Sequence, residues 1–127
     1  MSKGRGLVAV QVGGWATFAE VRLTIEALDS VGPPAIRFDP GAYQGPIPHQ
    51  WMIAISFGVV FAVEHLPLDL KEKGYVVVVD EIRDYPVDTN LSSVAMATIL
   101  AVADALKTTL TSCPYVDRDH KVICFPK

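Results

Sequence analysis

Four acidic side chains crowd one short stretch, Asp80, Glu81, Asp84 and Asp88, a grouping that suggests a divalent metal or acid/base chemistry. On a strand, Asp80 and Asp84 would share one face and Glu81 the other, where Arg83 can pair with it. A paired-carboxylate hydrolase needs a cleft lined by both acids, and this stretch implies none. It reads as a solvated strand edge leading into a helix cap, with Asp88 favoured by the positive end of the helix that follows. His49, His65 and His120 have no second histidine or cysteine at the short spacing of a zinc site, and read as solvent-facing or singly bonded imidazoles. Ser92 and Ser93 have no histidine nearby to act as base, and read as cap residues. Neither a phosphate-wrapping G-x-x-x-x-G-K-[ST] nor a dinucleotide G-x-G-x-x-G is present; Gly4-Arg5-Gly6 and Gly13-Gly14 match neither. No catalytic residue, metal or cofactor is therefore expected, and no nucleotide. Cys113 and Cys124 lie symmetrically about Arg118-Asp119, so a hairpin there would set them opposite each other. Two small buried hydrophobes are the plainer reading; a redox pair is the other.

The chain that must position these residues has 127 of them, the length of one domain. Half are hydrophobic and a fifth charged, which excludes disorder. The net charge of −3 disfavours a broad electrostatic binder of nucleic acid. Two cysteines are too few for a disulfide scaffold or a four-cysteine zinc site. Leu7–Val12 is too short for a signal-peptide core. Trp51–Val63, the longest apolar stretch, has 13 residues where a bilayer span needs roughly 20. A soluble, cytoplasmic chain with reduced thiols is expected, with no membrane partner.

Leu7–Val12 reads as a strand, with Gly13-Gly14 as its turn. Phe18–Leu28 alternates, with Val21, Leu23 and Ile25 on one side and Glu20, Arg22, Thr24 and Glu26 on the wet one. Ala35–Phe38 is a short third strand. Pro48 suits a first helical position, and a helix should run His49–Leu66 until Pro67 stops it. Tyr75–Val79, with its four valines, is a central strand continuing toward Tyr85. A second helix should span Ser92–Leu110, capped by Asn90 or Ser92. Lys121–Phe125 is a final strand. The order β β β α β α β predicts an α+β two-layer sandwich, a small mostly antiparallel sheet covered by helices.

Three segments carry a resemblance: Gln11–Val21 with its Gly13-Gly14; Gly45-Pro-Ile-Pro-His-Gln-Trp followed by Ala54 and Gly58; and Gly74–Arg83 leading to Ser92-Ser93 and Ala105-Leu106-Lys107. In order and spacing, the chain resembles domain IV of elongation factor G and elongation factor 2. The likeness covers roughly residues 11–110, within a single domain of residues 1–127 whose C-terminal strand or hairpin is 113–127. It implies the fold of the second domain of ribosomal protein S-five, with two helices on one face and a left-handed βαβ crossover. It also implies a stand-alone, non-catalytic translation-factor domain that reaches ribosomal RNA through two tip loops, Gly13–Phe18 and Tyr85–Asn90. The residues placed at that tip are Gly13, Gly14, Trp15, Thr17, Tyr85, Asp88 and Asn90.

Departures from the family are as informative. These 127 residues hold none of the family's GTPase domain, and no GTP dependence is expected of them. The second loop, Asp84-Tyr-Pro-Val-Asp-Thr-Asn, lacks the family's tip histidine, and Trp15 replaces a basic residue in the first. Both loops have moved away from charge-assisted phosphate contact, while Trp15 and Tyr85 offer faces for base stacking. The first helix is apolar all round: Trp51, Ile55, Val59 and Ala62 form the natural core face, and Ile53, Phe57, Val60 and Glu64 a second stripe. With Phe61, and with Ile99 on the second helix, this suggests an alternative role as an assembly module that forms a homodimer through Ile53, Phe57, Val60, Phe61 and Ile99. The other reading is that Cys113–Lys127 folds back over the helices.

Overall fold

The computed structural model describes residues 1–127. Strands β1 (Ser2–Val12) and β2 (Trp15–Leu28) form a long hairpin, paired from Ser2↔Ile25 to Val12↔Trp15. Its two-residue loop is Gly13-Gly14, and Gly13 has φ +59°, a value a side chain resists and two-residue hairpin loops require. Strand β3 (Ala35–Phe38), helix α1 (His49–Glu64), the single turn α2 (Leu68–Lys71) and strand β4 (Gly74–Arg83) follow. Helix α3 (Leu91–Ala105) and a small hairpin, β5 (Tyr115–Asp117) and β6 (Val122–Cys124), complete the chain.

The four-stranded sheet has the order β1-β2-β4-β3. The valine tract of β4 is thus internal, antiparallel to β2 and parallel to β3. Val77 and Val79 join Val21, Leu23 and Ile25 beneath Ile55, Val59, Ala62, Val94 and Val102 in one apolar cluster. This is the expected two-layer α+β sandwich, with a mixed sheet and the long helices on it.

Two close approaches set the layer spacing. A Cβ on Gly4 or Gly6 of β1 would run into the carbonyl oxygens of Ala101 and Ala97 on α3. A Cβ on Gly58 of α1 would lie 2.8 Å from the Ala95 oxygen and 2.9 Å from Thr98 Cβ. The strand therefore packs its bare backbone on α3, and α1 meets α3 at a glycine notch.

Several boundaries differ from expectation. β1 starts at Ser2 rather than Leu7, because β2 is long enough to pair with it that far. α1 stops at Glu64 and α3 at Ala105; beyond the latter, Lys107 takes a left-handed φ of 51°, which ends the helix well short of Leu110. The turn α2 was not expected, and β5 with β6 realises the hairpin alternative for residues 113–127 in place of a lone final strand. The cysteines do not face each other: Tyr115 pairs with Cys124, while Cys113 lies outside the hairpin. Both thiols are free. Cys113 is exposed and Cys124 half-buried, so neither is a buried hydrophobe. No helix is long and apolar enough to cross a membrane.

Candidate nucleic-acid interface

The end of the sheet that carries the β1–β2 turn also carries the loop from β4 to α3, because β2 and β4 run antiparallel. The two loops are stitched together. The Phe18 N–H donates to the Asp88 carbonyl at 3.0 Å, and the Thr89 hydroxyl donates to the Phe18 carbonyl at 2.6 Å. Tyr85 lies on Phe18 with ring centroids 4.3 Å apart and planes at 22°. Asp88 N–H closes the loop onto the Tyr85 carbonyl at 2.9 Å.

Within this end the predicted residues have different fates. Gly13 and Gly14 are exposed and Trp15 half-buried. Tyr85 is half exposed. Thr17 is a correction: it is 1% exposed and points with Ala19 and Val21 toward the helices, so it cannot touch a ligand at the surface. Its hydroxyl has no hydrogen-bond partner. Asn90 is used internally. Its Oδ1 accepts from Ser93 N–H and its own N–H donates to Ser93 Oγ, both at 2.9 Å, a reciprocal cap on α3.

A third loop was not anticipated. The β5–β6 turn brings Lys121 to the tip, where its ammonium would lie 3.9 Å from a Cβ built on Gly13. Asp117 shapes that turn, its Oδ1 accepting from Asp119 N–H and His120 N–H at 3.1 Å and its Oδ2 lying 2.8 Å from His120 Nδ1. The His120 backbone N–H is the main reason that the Asp117 carboxyl sits below the usual carboxylate range. Sequence spacing had no means of linking residue 121 to residue 13.

The larger omission lies on the sheet face turned away from the helices. Glu20, expected on a wet face, has a side chain only 2% exposed. It accepts from Arg5 Nε at 2.5 Å, Arg22 Nε at 3.0 Å and Arg83 Nη1 at 3.2 Å. The Arg5 hydrogen bond is the largest influence holding its carboxyl below the ordinary range, working against burial. The three guanidiniums are each about half exposed. Arg83 thus pairs with Glu20 rather than Glu81, whose nearest cation is Arg22 at 3.6 Å.

The acidic stretch is split by a β-bulge. Register shifts between Arg22 and Leu23, which pair with Glu81 and Val79 and leave Asp80 without a partner. One extra residue reverses the alternation. Asp80 and Glu81 both fall on the open face, where Thr24 Oγ1 donates to Asp80 at 2.6 Å. Asp84 turns to the helix side and accepts from Tyr43 Oη at 2.8 Å and Trp51 Nε1 at 2.9 Å. The shared face for Asp80 and Asp84 is therefore corrected. The Asp84 hydrogen bond is the main reason that the Tyr43 phenol is pushed up. No group of three or more His, Cys, Asp or Glu side chains is placed to hold a metal ion.

On the outer helix face, Ile53, Phe57 and Val60 are exposed, but Phe61 is 8% and Ile99 0% exposed. The last two cannot serve as contact residues. Phe61 is apolar on a helix that the C-terminal segment crosses: Phe125 meets Phe57 edge-on at 5.5 Å and Phe61 at 6.1 Å. Ile99 points straight into the main core.

No family model matches the chain, and neither does any curated protein. Among solved structures it is similar to ttk003000868 from Thermus thermophilus, at 25% identity and a TM-score of 0.63 over 79% of this chain. The match spans 14% of that much longer protein. A mevalonate kinase from methicillin-resistant Staphylococcus aureus aligns over 87% of this chain and 41% of its own, at 21% identity and a TM-score of 0.39. The chain thus has the architecture of an α+β two-layer unit that also occurs as part of a larger chain.

Proposed function

We propose that the chain is a non-catalytic module akin to domain IV of elongation factor G, and that it associates with ribosomal RNA through the end of the sheet bearing Gly13–Phe18 and Tyr85–Asn90. The observation that carries this reading is the joining of those two loops through Phe18, Tyr85, Asp88 and Thr89. It leaves an exposed glycine turn and a half-exposed tyrosine on one tip. Lys121 beside Gly13 supplies a cation that the loops themselves lack, and a cation there suits a phosphate backbone. The assembly reading draws less support, since Phe61 and Ile99 are buried and Phe125 covers part of Phe57.

Sedimentation with ribosomes over a salt series is the test. Association should be present at low salt and weaken steeply as salt rises. A protein that stays in the supernatant at about 50 mM salt ends the proposal.

A further inference from the structure

The arginine cluster around Glu20 has a form that fold stability alone does not require. Glu20 takes the Nε of both Arg5 and Arg22, and Glu81 lies 3.6 Å from the Arg22 Nε; the terminal amino groups of those two side chains make no hydrogen bond within the chain, and both side chains are about half exposed. A buried anion thereby fixes the directions of exposed guanidinium forks whose planar shape fits phosphate oxygens. The stacked pair Phe18–Tyr85 lies on the same face, Phe18 two residues before Glu20 along β2, about 7 Å away. Aromatic faces next to cationic forks on an open sheet form the combination that holds unpaired nucleotides, base on ring and phosphate on guanidinium. An acidic peptide would use the forks and leave the rings idle. The overall charge of −3 is that of the whole chain; on this face Lys3, Arg5, Arg22, Arg37 and Arg83 stand against Glu20, Glu26, Asp80 and Glu81, and the positive charge gathers around the buried Glu20.

We infer that the open sheet face binds single-stranded nucleic acid, with a base on Tyr85 over Phe18 and the adjoining phosphates on Arg5, Arg22 and Arg83. This deepens the RNA reading above and rests on it for the biological ligand, but it places the grip behind the tip.

Fluorescence anisotropy with a labelled ten-nucleotide oligo-U tests it on the intact chain. Tyr85→Leu, which keeps an apolar cover on Phe18, should weaken binding about 5- to 100-fold. Arg83→Gln, which removes the charge and keeps a polar side chain, should weaken binding and reduce the slope of log K against log salt by about 0.7. Thermal melts matching wild type show that both variants are folded; should Arg83→Gln melt early, Tyr85→Leu alone decides. The inference falls if wild type does not bind oligo-U at about 50 mM salt, if neither variant changes its affinity, or if polyglutamate competes as well as oligo-U. Oligo-U binding that depends on Tyr85, without ribosome association, would remove the proposed function and leave this inference standing. Ribosome association without oligo-U binding would do the reverse.

Discussion

Replacing Glu20 by glutamine keeps the shape of the side chain and removes its charge. The carboxylate it replaces is 2% exposed and takes hydrogen bonds from three arginines. Deleting one member of a fully buried ion pair costs about 3–5 kcal/mol. Here the cations are half in water and stay solvated when the anion is gone, so the expected loss is smaller, about 2 kcal/mol. Because Arg5 holds the Glu20 carboxyl down, its contribution is complete above the unfolded carboxylate value, about 4.3. It is lost as pH falls through the lower, folded value. Urea unfolding of both proteins across pH reads this directly. At pH 7, Glu20→Gln should unfold at lower urea with an unchanged m-value, and the gap should close as acid protonates Glu20 in wild type. Equal midpoints at pH 7, or a gap that persists unchanged at the most acid pH reached, would refute the reasoning.

Three further substitutions test the packing. Gly6→Ala drives a Cβ into the Ala97 carbonyl, and overpacking of this kind should cost about 1–3 kcal/mol, lowering the midpoint of a thermal melt by several degrees. Thr17→Val removes a buried hydroxyl that has no partner and should raise stability by about 1 kcal/mol in urea. Asn90→Ala breaks the reciprocal cap with Ser93 and should cost about 1 kcal/mol, with hydrogen exchange quickening first in the opening turn of α3.

What could be read from the chain in advance was the periodic part. The four valines after Tyr75 have no polar break, and they became an interior strand with Val77 and Val79 fully buried and Val76 and Val78 half-buried. Pro48 and Asn90 marked helix starts because each has a local physical reason to be there. What stayed hidden depended on register and on distant pairing. One unpaired residue, Asp80, turned Asp84 toward Trp51, and no alternation rule signals a bulge. Glu20 looked wet because alternation set it on the open face, where it does lie; only its three arginine partners, one of them 63 residues away, make its burial there tolerable. Gly4 and Gly6 weaken a strand in isolation, and their use appears only when α3 lies across them. Lys121 reached the tip through a hairpin whose register two cysteines had suggested wrongly.

Hydrogen exchange of the chain, alone and bound to ribosomes, tests the central claim most directly. Binding should slow exchange at residues 13–18, 85–90 and 118–121 while leaving the exposed side of α1 around Phe57 unchanged. Protection confined to α1, or none at the three loops when the chain is bound, would contradict the account.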